Sequence, residues 1–137
     1  MSWDKNKRIS QGEISERITP ETISFAEEFG TYLAKFEGKE GPQPLTTSQL
    51  RKFFGEVKRQ QMSDFNESEF AMLKPKLAYA VGRAHQRANA KYKIDDFYHV
   101  MADCIDKVCK SPDKQKAFKN FTLIFEAIVA YHKAAEK

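Results

Sequence analysis

The chain has no apolar run near the roughly 20 residues that a membrane-crossing helix requires. Its opening residues, Met1–Gln11, are polar and charged and lack the apolar stretch of a secretory signal. These two absences exclude a membrane role and predict a soluble, cytoplasmic protein. Cysteine is scarce. Cys104 and Cys109 are the only two, and on one predicted helix they are separated by about 7.5 Å of rise, beyond disulfide reach. They read as reduced, structural thiols, and 137 residues suffice to bury one continuous core without a staple.

Signatures of catalysis are missing too. There is no glycine-rich phosphate loop, no Ser, Cys or Thr nucleophile beside a base, and no deaminase-type zinc signature. His85 and His132 have no cysteine or second histidine at zinc spacing. Asp95, Asp96, His99, Asp103 and Asp106 crowd one predicted helix, and Asp96-x-x-His99 followed by Asp103 could bring ligands to one face. A di-iron bundle, however, needs two Glu-x-x-His pairs and further carboxylates, and no second pair exists. An acidic first turn at a helix N-terminus, followed by solvated aspartates, is the plainer account. The sequence therefore predicts no catalytic residue, no metal and no cofactor.

What the chain does have is aromatic bulk and uneven charge. Eleven Phe and five Tyr provide large apolar faces, while Gly and Pro cluster outside the periodic segments. No stretch alternates with period two for long, so the reading is all-α: one compact bundle of about five helices over 19–137, preceded by a flexible polar arm, 1–18. The first helix opens at Thr19-Pro20-Glu21 and turns Ile23, Ala26, Phe29, Leu33 and Phe36 inward until Gly38. The second opens at Thr46 with Gln49 as capping partner and Leu45 and Leu50 as a staple, and buries Leu50, Phe53, Phe54 and Val57. Helix resumes near Asn66 or Ser68, is broken at Lys74-Pro75, and continues to about Lys91. The fourth, capped by Asp95 or Asp96, buries Phe97, Val100, Met101, Cys104, Ile105 and Val108. The fifth starts at Ser111-Pro112-Asp113 and buries Phe118, Phe121, Phe125, Ile128 and Val129. That last helix is apolar nearly all round, so either it is central or its second face meets another subunit. Gly55 and Gly82, inside helical patterns, are expected to permit close approach of a neighbour.

Residues 1–68 hold 10 bases and 11 acids, whereas 69–137 hold 13 bases and 8 acids. Within the second half, Lys74, Lys76, Arg83, Arg87, Lys91 and Lys93 follow one another with no intervening acid. On a helix Lys76, Arg83, Arg87 and Lys91 share about 80° of arc, with Tyr79 and Gln86 along the same edge and Leu77, Val81, Ala84 and Ala88 beside them as an apolar seam. Arg51 and Lys58 flank the seam of the second helix in the same way, with Lys52 towards its outer pole. A solvated face would explain one such helix. Two helices with bases beside their buried faces point to a phosphate backbone.

Three motifs carry a more specific signal. LTTSQLRKFFGEVKRQ (Leu45–Gln60), LKPKLAYAVGR (Leu73–Arg83) and KNFTLIFEAIVAYHK (Lys119–Lys133), in that order, resemble the small subunit of the type III-A CRISPR, or Csm, effector complex. The resemblance implies an all-helical, non-catalytic subunit that assembles in several copies opposite the backbone subunits and lines the channel for CRISPR RNA and target RNA. It implies as partners both RNAs, the backbone and large subunits, and further copies of itself, as neighbours or as a homodimer. Target-RNA cleavage would belong to the backbone subunit, and DNA cleavage and cyclic oligoadenylate synthesis to the large one. Arg51, Lys58, Lys74, Lys76 and Arg83 occupy motif positions where basic RNA-facing residues lie in that family. Lys52, on the outer pole of the second helix, and Arg87 and Lys91, in the charge run beyond the motifs, complete the predicted RNA-binding set.

Two other readings make different demands. A metal or cofactor bundle would need the Asp/His cluster buried and convergent. A sequence-specific DNA-binding domain would need a short turn before a recognition helix with base-reading residues at its N-terminal end. Here the breaks hold Pro or long polar loops, and the basic stripe runs along a helix instead.

Overall fold

The computed structural model describes residues 3–87 and 92–136, Arg87 by its backbone alone. Among them are seven helical segments: α1 (Gln11–Ser15), α2 (Pro20–Ala34), α3 (Thr47–Gln61), α4 (Glu67–Ala71), α5 (Leu73–Arg87), α6 (Ile94–Cys109) and α7 (Lys114–Ala135). The described residues contain no strand, only a lone parallel bridge between Gln43 and Tyr92. No helix among them is long and apolar enough to cross a membrane. The five long helices form the expected all-helical bundle; α1 and α4 are single turns.

Local chemistry sets most of the starts. The side-chain oxygens of Ser10, Thr19, Thr46, Asn66 and Asp113 each accept from a backbone N–H in the first turn that follows, satisfying donors that a helix N-terminus leaves without an intrahelical partner. At α3 the capping box is complete: Thr46 N donates to the Gln49 carboxamide at 2.9 Å and Gln49 N to the Thr46 hydroxyl at 3.1 Å. The staple residues Leu45 and Leu50 are both buried.

The long helix α7 is the centre of the fold. Its Phe118, Phe121, Phe125 and Ile128 are buried, and so are His132 on the same face and Ile124 at its edge. Edge-on rings fill the space around it: Phe125 meets Phe53 at 5.2 Å and Phe121 meets Phe70 at 5.2 Å between centroids. The buried His132 Nε2 donates to the Leu45 carbonyl at 2.8 Å, fixing the entry to α3 on the end of α7. The most extensive packing pairs α2 with α7. Of the apolar residues read on its remaining faces, Ile124 is enclosed within the chain, Ala127 and Tyr131 are half-buried against the core, and Leu123 is exposed.

Several expectations require correction. Residues 3–18, expected as part of a flexible polar arm, are anchored in the core by three side chains. Trp3, Ile9 and Ile14 are buried, and Trp3 packs on Phe29 and Phe25 with centroids 4.7 and 5.7 Å apart. The Asn120 amide donates to the Ile14 carbonyl at 2.8 Å, and the Lys107 ammonium to the Ile9 carbonyl at 2.8 Å. Three apolar side chains spaced through a polar stretch escape a periodicity search, yet each is buried against the bundle.

Helix α2 stops at Ala34 rather than Gly38, because Leu45 N takes the Leu33 carbonyl at 2.8 Å and the Lys93 ammonium takes those of Tyr32 and Lys35. Phe36 therefore lies beyond the helix, and both it and Ile23, at the edge of the seam, are exposed rather than inward. Thr22 and Gly30 are buried on that face instead. The break before α5 falls at Met72, not Lys74-Pro75. Pro75 sits in the first turn of α5, where its missing N–H removes no helical bond. Beyond Arg87 the expected continuation to Lys91, with Ala88 and Lys91 itself, lies outside the described residues. No other part of the described chain approaches Gly55 or Gly82 closely: a Cβ on either would meet nothing within 4 Å.

Candidate nucleic-acid interface

Helices α3 and α5 pass the core on one side and leave between them a groove of about 480 Å³. Its floor includes Phe53, Leu73, Leu77, Ala84, Ile94 and Phe97, all largely buried. Along its lips stand Lys52 and Glu56 from α3 and Lys76, Tyr79 and Arg83 from α5. The helical period produces this arrangement: the residues that seat each helix in the core recur every third or fourth position, and those next to them are carried to the rim.

The predicted cations fall into distinct environments. Lys52, Lys76 and Arg83 share the groove. Arg51 is exposed on α3 without lining it. Lys58 turns towards α7, where its ammonium pairs with Glu126 at 2.5 Å and lies 5.3 Å from the Phe54 ring centroid. Lys74 pairs with Asp106 of α6 at 2.8 Å, and this hydrogen bond raises its pKa. Lys91 and the Arg87 side chain lie outside the described residues. Among the described residues, no carboxylate stands within ion-pair distance of Arg51, Lys52 or Arg83, so their charge is the least compensated of the set.

Glu56 is the counterweight at this rim. Its carboxylate accepts from Arg59 at 2.6 Å, from Lys76 at 3.1 Å and from Gln60 at 3.3 Å. The Arg59 hydrogen bond leads in holding its pKa down to about 2, against the opposing effect of burial, with Lys76 and Gln60 assisting. Arg59 also reaches Glu69 at 2.6 Å, so one guanidinium ties α3 to α4. The i, i+3 spacing of Glu56 and Arg59 is visible in the sequence. The cross-helix bond to Lys76 is not.

Lys93, part of the same charge run, has another role. It is fully buried; its ammonium donates to the Tyr32 and Lys35 carbonyls at 2.6 and 2.9 Å and to Glu37 at 2.6 Å. The same atom lies 4.1 Å from the Tyr32 ring centroid. This lysine clamps the end of α2 to the start of α6.

The acidic cluster of α6 is dispersed among separate neighbours. Asp95 meets His85 at 2.9 Å, Asp96 accepts from the Tyr32 hydroxyl at 2.6 Å, Asp103 holds Lys107, and Asp106 holds Lys74. His99 is exposed, edge-on to the Tyr98 ring. Among the described residues no three His, Cys, Asp or Glu side chains converge as a metal site. Burial raises the Cys104 thiol to about 12, leaving it protonated and unreactive as a nucleophile.

The helical fold thus sets Lys52 and Arg83, without an ion-pair partner among the described residues, beside an open groove. The family described as Csm2 Type III-A matches residues 19–137. The chain belongs to that family, the small subunit of the type III-A CRISPR effector complex. No curated protein and no solved structure matches it. Residues 3–18, which contribute Trp3, Ile9 and Ile14 to the core, lie outside the family match.

Proposed function

We propose that this chain is a non-catalytic, cytoplasmic lining subunit of its effector complex, present in several adjacent copies and contacting the backbones of CRISPR RNA and target RNA through α3 and α5. The observation that carries the reading is the shared rim, where Lys52, Lys76 and Arg83 face one groove opposed by Glu56 alone among its lining residues. Arg51 extends that surface along α3, and the backbone of α5 runs on to Arg87, one turn beyond Arg83. Lys58 and Lys74 are held in exposed ion pairs worth little individually, so a phosphate can replace their carboxylate partners at small cost.

The mechanism follows from RNA geometry. An A-form duplex hides its base edges in a deep, narrow groove, and guide–target pairing already supplies the sequence information. A subunit beside that duplex therefore needs phosphate and 2′-hydroxyl contacts that tolerate any sequence. Flexible Lys and Arg side chains on rigid helices provide them.

The test uses the assembled complex with Lys52, Lys76 and Arg83 all changed to Ala. Target-RNA affinity should fall, and its dependence on salt should become shallower by roughly 0.7 to 0.9 in log–log slope for each phosphate that is no longer neutralised. Unchanged affinity and slope would remove these residues from the interface.

A further inference from the structure

Tyr79 is 69 % exposed, more than any other Phe, Tyr or Trp among the described residues. It stacks on no other ring there, whereas the tyrosines at 32, 92 and 98 each meet an aromatic neighbour. An aromatic ring held in water by a well-formed helix makes no contribution to the core. Its surroundings are specific. Arg83 is one helical turn on, with Cβ atoms about 5–6 Å apart, and Lys76 is one turn back. Gly82 lies on the same side, and the position its Cβ would take is open to solvent. Tyr79, Gly82, Arg83 and Gln86 border a depression of their own, while Tyr79 and Arg83 also form a lip of the larger groove. A flat π-face, an adjacent guanidinium and a bare stretch of backbone occur together.

We propose that Tyr79 is a stacking platform for an unpaired RNA base, with Arg83 neutralising the adjoining phosphate and Gly82 leaving room for the base against the helix. This rests on the backbone-contact reading and adds to its duplex contacts a subsite for an unpaired stretch of RNA, whose bases can be splayed onto an aromatic ring as the stacked bases of a duplex cannot. Stacking on a ring is tolerant of sequence because every base has a π-face, so the subsite is compatible with a protein that reads no sequence. Gln86, a turn beyond Gly82, can hydrogen-bond a base edge without imposing one.

The test compares the full-length chain with its Tyr79→Ala, Tyr79→Phe and Gly82→Leu variants, titrated with a fluorescent single-stranded oligouridylate, the same oligomer with abasic sites, and a blunt RNA duplex of equal length. Tyr79→Ala should lose about tenfold in affinity for the single strand, with an unchanged salt slope because stacking releases no counterions. Tyr79→Phe should bind as the parent does, and Gly82→Leu should fall with Tyr79→Ala. Neither the abasic oligomer nor the duplex should distinguish Tyr79→Ala from the parent. Equal single-strand affinity for parent and Tyr79→Ala overturns the inference, as does an equal loss on duplex or a loss shared by Tyr79→Phe. If salt-sensitive RNA binding persists in all variants alike, the platform fails while the backbone reading stands. If neither the chain nor its complex binds RNA, both fail. If Tyr79→Ala binds RNA normally but no longer co-purifies with the effector complex, the ring belongs to a protein contact and the inference is wrong.

Discussion

Gly30 of α2 lies against the backbone of α7 so closely that a Cβ at that position would stand 2.7 Å from the Ile128 carbonyl oxygen and 3.0 Å from the His132 nitrogen. Both opposing atoms belong to the main chain and cannot rotate aside. The contact between the central helix and α2 therefore depends on the absence of one methyl group.

Gly30→Ala should destabilise the protein by about 2–3 kcal/mol by forcing these helices apart. Gly55→Ala, by contrast, adds a methyl group in open space and should stabilise by about 0.5–1 kcal/mol through helix propensity. Urea unfolding of the two variants should move their midpoints in opposite directions; a shift of the same sign would refute the contrast.

The second prediction concerns the N-terminal segment outside the family match. Trp3→Ala should cost about 3 kcal/mol, since a buried ring in contact with Phe25 and Phe29 would be replaced by a cavity. Removing residues 1–18 should lower the melting temperature further, because Ile9, Ile14 and the hydrogen bonds to Lys107 and Asn120 go with it. An unaltered thermal transition in both would return the segment to the status of an arm.

Lys93→Met should destabilise by about 3 kcal/mol. The ammonium is buried against the Tyr32 and Lys35 carbonyls and the Glu37 carboxylate, so its loss removes three polar contacts at the junction of α2 and α6. Hydrogen exchange should show the loss first in residues 32–37. A variant with parental stability would mean that these acceptors find other donors.

Glu56 links stability to pH and to RNA. Its pKa of about 2 lies below the ordinary value of 4.5. The ionised form is favoured by folding, so its contribution is complete above about pH 4.5 and is lost as pH falls towards 2. Glu56→Gln should cost about 1 kcal/mol at neutral pH, with the gap between variant and parent closing across that acid range. The same substitution frees Lys76 from its 3.1 Å ion pair and should tighten RNA binding at low salt. A stability gap that stays constant from pH 7 to 2 would show that the carboxylate's charge is not its contribution.

Much of this protein was legible in its sequence because the signals are local. Capping residues at Thr19, Thr46 and Asp113 mark helix starts by satisfying nearby N–H groups. The apolar period of α6 identifies Phe97, Val100, Met101, Cys104, Ile105 and Val108, every one of them buried. The order of the three motifs indicates the family, which the match over 19–137 establishes.

The tertiary structure decided what depends on neighbours distant in the chain. Lys76 and Lys93 look alike in a basic run, but one stands on a rim and the other is enclosed by three acceptors from residues 32–37. Gly30, Gly55 and Gly82 are equally small, yet only Gly30 faces another backbone. Trp3 and Ile9 look like stray apolar residues in a polar tail until Phe25 and Phe29 of α2 and the end of α6 are brought beside that segment. The hydrophobic period states which side of a helix avoids water. Which partner covers that side, and which charge remains uncompensated beside it, is fixed only when elements far apart in sequence pack together.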